Sequence, residues 1–145
     1  MSADRPLAPP IIDAMLEWRG LRPVARVALV SAYVTGGVAK LCDFHGAVLE
    51  QANFGLHPGW LWAALAVIVE LGGSALVIAG RAVWLGAGAL GVLTFVAMLV
   101  ANDFWDASGH ARFLAFNGFF EHLGLIAGLV LAALLPEPSQ PRSAT

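Results

Sequence analysis

Four apolar runs, each about 20 residues long, limit what this 145-residue chain can fold into. At about 1.5 Å of helical rise per residue, a run of that length crosses the roughly 30 Å hydrocarbon core of a bilayer. The runs occupy residues 21–41, 60–79, 82–101 and 114–135, with short polar or glycine-bearing connections between them. Composition agrees: 59% of residues are hydrophobic and 12% charged, against about a quarter charged in soluble domains, and the mean hydropathy is +0.76. The expected fold class is all-α, an integral membrane four-helix bundle in which no linker separates domains.

Residues 1–20 form a polar leader with Pro6, Pro9 and Pro10 and acids at Asp4, Asp13 and Glu17, unlike the basic start and apolar stretch of a signal peptide. Within it, Ile11, Ile12, Met15 and Leu16 recur at helical spacing while Asp13, Glu17 and Arg19 fall on other faces. That pattern predicts a short N-terminal interfacial helix; the alternative is a loose tail with incidental hydrophobes. Residues 136–145 carry Pro136, Pro138, Ser139, Gln140 and Pro141 and read as a disordered tail. The net charge of −2 gives no reason to expect a nucleic-acid partner, and Cys42, the one cysteine, excludes an intramolecular disulfide or thiolate zinc site.

Arginines set the expected orientation. Arg5, Arg19, Arg22, Arg26, Arg81 and Arg142 flank one side of the spans, whereas Lys40 and Arg112 flank the other. By the positive-inside rule both termini are cytoplasmic, and in a bacterial inner (plasma) membrane the two longer connections face the periplasm. Trp60 and Trp62 mark one interface of the second span, and Arg81 and Trp84 the other.

Against this apolar background three ionisable residues stand out: Glu70, Glu121 and Lys40. An ionisable group in hydrocarbon costs roughly 2.5–3.5 kcal/mol even on the lenient insertion scale, so it marks a site by default. Glu70 lies ten residues after Trp60 and eleven before Arg81, which places it roughly 15 Å from either interface. It must be protonated, paired or turned toward a wet cavity. Lys40 ends the first span, and its stem can reach inward toward either glutamate. Glu121 sits about two turns into the fourth span, with Asn117 one turn away on the same face and His122 beside it.

Glu70-Leu71-Gly72-Gly73 and Glu121-His122-Leu123-Gly124 each place a glycine three residues after a glutamate. Each carboxyl would then point into a tightly packed seam, by an ancient duplication or by ordinary helix packing. The glycines also permit a homodimer. Duller readings stand beside these. Glu70 could be a structural acid bonded to Ser31, Tyr33 or Thr35, Lys40 could snorkel to headgroups, and His122 could be a satisfied core histidine. His45, His57 and His110 lack the short spacing of a metal motif, so no metal site is expected. Trp105, between Asp103 and Asp106, reads either as an interface anchor or as a ligand-stacking ring.

The Gly36-Gly37-Val38-Ala39-Lys40-Leu41 end of the first span, the Glu70-Leu71-Gly72-Gly73 core of the second with Leu76 and Gly80 after it, and the Phe104-Trp105 pair after the third resemble the DoxX family of small four-span membrane proteins. The resemblance implies the fold more firmly than an activity. It implies a membrane subunit of a quinone- or thiol-linked redox system, with Lys40 and Glu70 at its polar centre and a periplasmic or membrane redox protein as partner. In that reading Glu70 exchanges protons and Lys40 tunes or pairs with it. On physical argument alone, outside the resemblance, Asn117, Glu121 and His122 would orient a headgroup or relay protons outward, with Trp105 a further substrate-binding candidate. A quinone or a small reductant is the expected ligand, and no covalent cofactor is expected. Since no haem, flavin or iron–sulfur motif occurs, electrons would come from a partner protein or a small reductant. The alternatives are a non-catalytic membrane scaffold for another protein and a small proton-coupled carrier.

Overall fold

A computed structural model describes residues 9–135; the start of the leader and the expected disordered tail at 136–145 lie outside the described residues. The described chain is helical with no strand: α1 (Pro10–Leu16), α2 (Leu21–Cys42), α3 (Phe44–Asn53), α4 (Gly59–Ala79), α5 (Val83–Ala101) and α6 (Gly109–Leu134). Of these, α2, α4, α5 and α6 are long and apolar enough to cross a membrane. The predicted leader helix is present as α1, with Ile11, Met15 and Leu16 exposed rather than tucked into the bundle.

One helix was not anticipated. The stretch after the first span, read as a loop, folds into α3 because Asp43 caps it, its Oδ1 accepting from the Gly46 N–H at 2.9 Å. Such a cap satisfies one of the orphan donors that every helix start leaves open. α3 then folds back onto α4, where its Ala47 is buried.

The four long helices pack in chain order, α2 on α4, α4 on α5 and α5 on α6, while α2 meets α6 over only a short stretch. Val30, Val77, Leu90 and Leu129 are fully buried and bring all four helices to one core. Lipid tails are as apolar as leucine, so close packing rather than water exclusion holds such helices together. The α4–α5 crossing shows what this demands: a Cβ on Gly86 would lie 2.6 Å from the Gly73 carbonyl oxygen. A buried hydrogen bond between the Tyr33 and Thr94 hydroxyls ties α2 to α5.

The α4–α5 turn is tight. Gly80 ends α4 in the left-handed region with φ 66°, and the Arg81 N–H reaches back to the Leu76 carbonyl at 3.2 Å. Arg26 lies against Gly80, a cation at a helix C-terminus where the dipole favours it. Ala82 also has positive φ, at 48°, although it carries a Cβ. Replacing it with glycine relieves that clash, and A82G is expected to raise stability by up to about 1 kcal/mol. Gly86→Val should lower stability by about 1–3 kcal/mol through forced separation of α4 and α5. Heat denaturation in detergent micelles reads both.

Candidate functional site

Glu70 falls near the middle of the 21-residue α4, and Lys40 lies in the last turn of α2. The lysine stem runs down the bundle, and its Nζ donates to both carboxylate oxygens of Glu70, at 2.9 Å to Oε1 and 3.2 Å to Oε2. The pair is largely enclosed, with side-chain exposures of 21% for Lys40 and 11% for Glu70. Two bare glycines lie beside it. A Cβ on Gly36 would sit 3.5 Å from both the Lys40 Nζ and the Glu70 Oε2, and one on Gly37 would strike Leu71 at 2.8 Å. A Cβ at Gly36 would thus make only ordinary contact with the pair, whereas the missing side chain of Gly37 lets α2 pack against Leu71 of α4 beside the salt bridge.

The hydroxyls on α2 that could have held Glu70 are engaged elsewhere. Ser31 donates to the Ala28 carbonyl, Thr35 to the carbonyls of Ser31 and Ala32, and Tyr33 bonds Thr94. Snorkelling of Lys40 away from the bundle is likewise not what the structure adopts.

The ion pair forms part of the wall of a groove of about 760 Å³ that runs along α5 from Trp84 to Ala101 and is open along one side. Its other walls are apolar, with Leu65 and Val69 from α4 and Leu85 and Val92 from α5. Glu50 and Gln51 of α3, with Phe54 just after it, also line the groove. A mostly apolar cleft of this size with a few convergent polar groups is the usual form of a small-molecule site. Gly88 also lines it, and a Cβ there would meet nothing within 4 Å, so its missing side chain leaves groove space open.

The α6 residues do not join this centre. Asn117 and Glu121 are exposed on α6, and no α6 side chain lines the groove. The expectation that each glutamate enters a packed seam therefore holds on one helix only: Gly73 is pressed against α5, whereas a Cβ on Gly124 would meet nothing. The cause is the rotation of α6, which turns Leu125 and Leu129 toward the core. His122 is half-buried and satisfied locally, its Nδ1–H donating to the Gly118 carbonyl at 2.6 Å. Trp105 is exposed and packs edge-on against Phe104 and Phe119, with ring centroids 5.2 and 6.3 Å apart. It belongs to an aromatic cluster that closes the α5–α6 end, signalled in the sequence by Phe116, Phe119 and Phe120 at helical spacing.

Gln51 was missed, Glu50 was expected only as one of the polar residues of the first outer connection, and Gly88 only as a small packing residue. The capping signal of Asp43 and Gly46 could have placed the first two on a helix over the bundle, but nothing local marks Gly88 as part of a groove.

Four membrane-length helices around a largely enclosed lysine–glutamate pair define a small polytopic membrane protein. The DoxX family model matches residues 22–103, which run from α2 through α5 and contain both members of the pair. The chain belongs to the DoxX family. It is also 24% identical over 111 residues to the inner membrane protein YphA of Escherichia coli (strain K12), a similarity covering 77% of this chain and 79% of the relative. No solved structure matches.

In low dielectric each partner of the pair is stabilised by the other, and deleting one strands the survivor. Lys40→Met or Glu70→Leu alone should each cost about 3 kcal/mol, while the double substitution should cost less than either single one. A double-mutant cycle by thermal or denaturant unfolding in micelles measures this directly.

Proposed function

We propose that this protein is the membrane subunit of a quinone-linked redox system of the bacterial inner membrane, with the groove between α4 and α5 as its ligand site. The observation that carries this reading is the Lys40–Glu70 pair in the wall of a partly open apolar groove. A quinone has a polar ring with two carbonyl oxygens and a long apolar tail, and on two-electron reduction it takes up two protons. The site supplies both kinds of contact. The apolar stretch formed by Leu85, Val92 and Val96 accommodates a tail, and the Lys40 ammonium can donate to a carbonyl oxygen without leaving Glu70. Glu70 is the group placed to give up or accept a proton at the ring. Glu50, on α3, lies where protons pass between the groove and the aqueous phase. Electrons come from a partner protein or a small reductant, the sequence offering no haem, flavin or iron–sulfur motif.

The name of the relative YphA supports the inner-membrane assignment. The arginine bias supports cytoplasmic termini, which turns α3 and the groove mouth toward the periplasm. A periplasmic or membrane-bound redox protein then docks over α3.

A second reading has its own observation. Lys40 and Glu70 already satisfy one another and clamp α2 to α4, which is what a structural pair in a non-catalytic scaffold does. Ligand titration separates the two. Purified protein in nanodiscs is expected to bind a ubiquinone or menaquinone analogue saturably. Glu70→Gln should weaken that binding about tenfold, a loss of about 1.4 kcal/mol. Gly88→Phe should abolish it by filling the groove, with the fold intact because the added side chain enters open space. Failure of the wild-type protein to bind, or equal binding by all three proteins, favours the scaffold.

A further inference from the structure

We propose that the protein assembles as a parallel homodimer through the exposed seam of α6, with a second copy of this chain as the partner. The bundle leaves that helix half uncovered. Leu125 and Leu129 turn to the core, while Leu114, Asn117, Glu121, Gly124 and Leu131 are exposed and Gly128 is partly covered near Leu29. These positions follow one another in alternating steps of three and four residues, the spacing that keeps one stripe facing a neighbouring helix.

The stripe cannot be an ordinary lipid face. Glu121 lies seven residues past Leu114, about 10 Å into the span, and Asn117 is one turn nearer its start. A carboxyl and a carboxamide turned to hydrocarbon find no partner there, and polar groups at this depth face protein or water. Among the described residues no cation meets Glu121: the Lys40 ammonium is committed to Glu70, and Arg26 lies against Gly80. The polar groups of the stripe must be met from outside the bundle.

The chemistry of the stripe favours a copy of itself. With a two-fold axis along the membrane normal, each residue meets its own counterpart. A carboxamide both donates and accepts, so Asn117 pairs with Asn117. A protonated carboxyl does the same, so Glu121 pairs with Glu121 and no opposite charge is needed. One turn on, Gly124 offers open space in which two backbones can close up. The spacing corresponds to left-handed crossing at about 20°. The groove between α4 and α5 plays no part in the contact, so a monomer could still bind quinone and a dimer could still lack quinone.

Cysteine cross-linking in proteoliposomes tests the assignment on a Cys42→Ser background. Asn117→Cys, Gly124→Cys and Leu131→Cys should form disulfide-linked dimers on oxidation. Phe116→Cys, Leu123→Cys and Val130→Cys, exposed on another face, should not. Energy transfer between labelled copies, followed as lipid dilutes the protein, should show association weakened tenfold or more by Glu121→Leu and by Gly124→Ile. The second variant adds its side chain where the single bundle has room, so unchanged thermal unfolding shows that the fold is intact. Glu121→Gln, which keeps a donor and an acceptor, should retain the dimer. Equal cross-linking on both faces, a monomeric wild-type protein in the bilayer, or loss of the dimer in Glu121→Gln would each overturn the proposal, the last because it would require a cation opposite Glu121.

Discussion

The ion pair between Lys40 and Glu70 is the constraint around which this bundle is arranged. A carboxylate at mid-helix in a membrane-spanning segment has few outlets, and here it is met by an ammonium thirty positions earlier in the chain. That meeting requires α2 to come close to α4, where Gly37 packs against Leu71 with no room for a Cβ and Gly36 faces the pair. The helix pairing, the glycines and the charges are one feature rather than three. Removing a single member leaves a group that neither lipid nor protein can accommodate.

From that contact the other helices follow in sequence. α4 crosses α5 at Gly73 and Gly86, the Tyr33–Thr94 bond ties α2 to α5 from behind, and α6 rests on α5. The result leaves two faces, proposed for a ligand and for a second copy. Between α4 and α5 an apolar groove opens with the ion pair in its wall, and on α6 a polar stripe is left unmatched by the chain. A ligand with a polar ring and an apolar tail suits the first, and a second copy suits the other. The two roles need not depend on one another, because the groove draws on no α6 residue.

Much of the site was legible beforehand because burial cost is a local property. Glu70 and Lys40 were conspicuous in apolar runs, and the reach of a lysine stem made their meeting an obvious arrangement to expect. Glu121 was equally conspicuous, yet it faces away from the groove. Its depth could be counted along the helix, but the rotation of α6 about its own axis is set by how Leu125 and Leu129 pack into the shared core. The connection read as a loop became α3 for a local reason, the Asp43 cap, that apolar-run reading does not weigh.

By itself the sequence determined how many helices are long and apolar enough to cross a membrane, and where along each helix its ionisable groups fall. Those quantities depend on hydrophobic length and helical rise, which are properties of a segment taken alone. Only the tertiary structure decided which polar groups meet. Tyr33 went to Thr94 rather than to Glu70, His122 was satisfied by the Gly118 carbonyl, and Glu50 was brought over the groove. Partnership between distant segments depends on which helices adjoin and how each is turned. The packing of the whole bundle sets those angles, and no single stretch of residues encodes them.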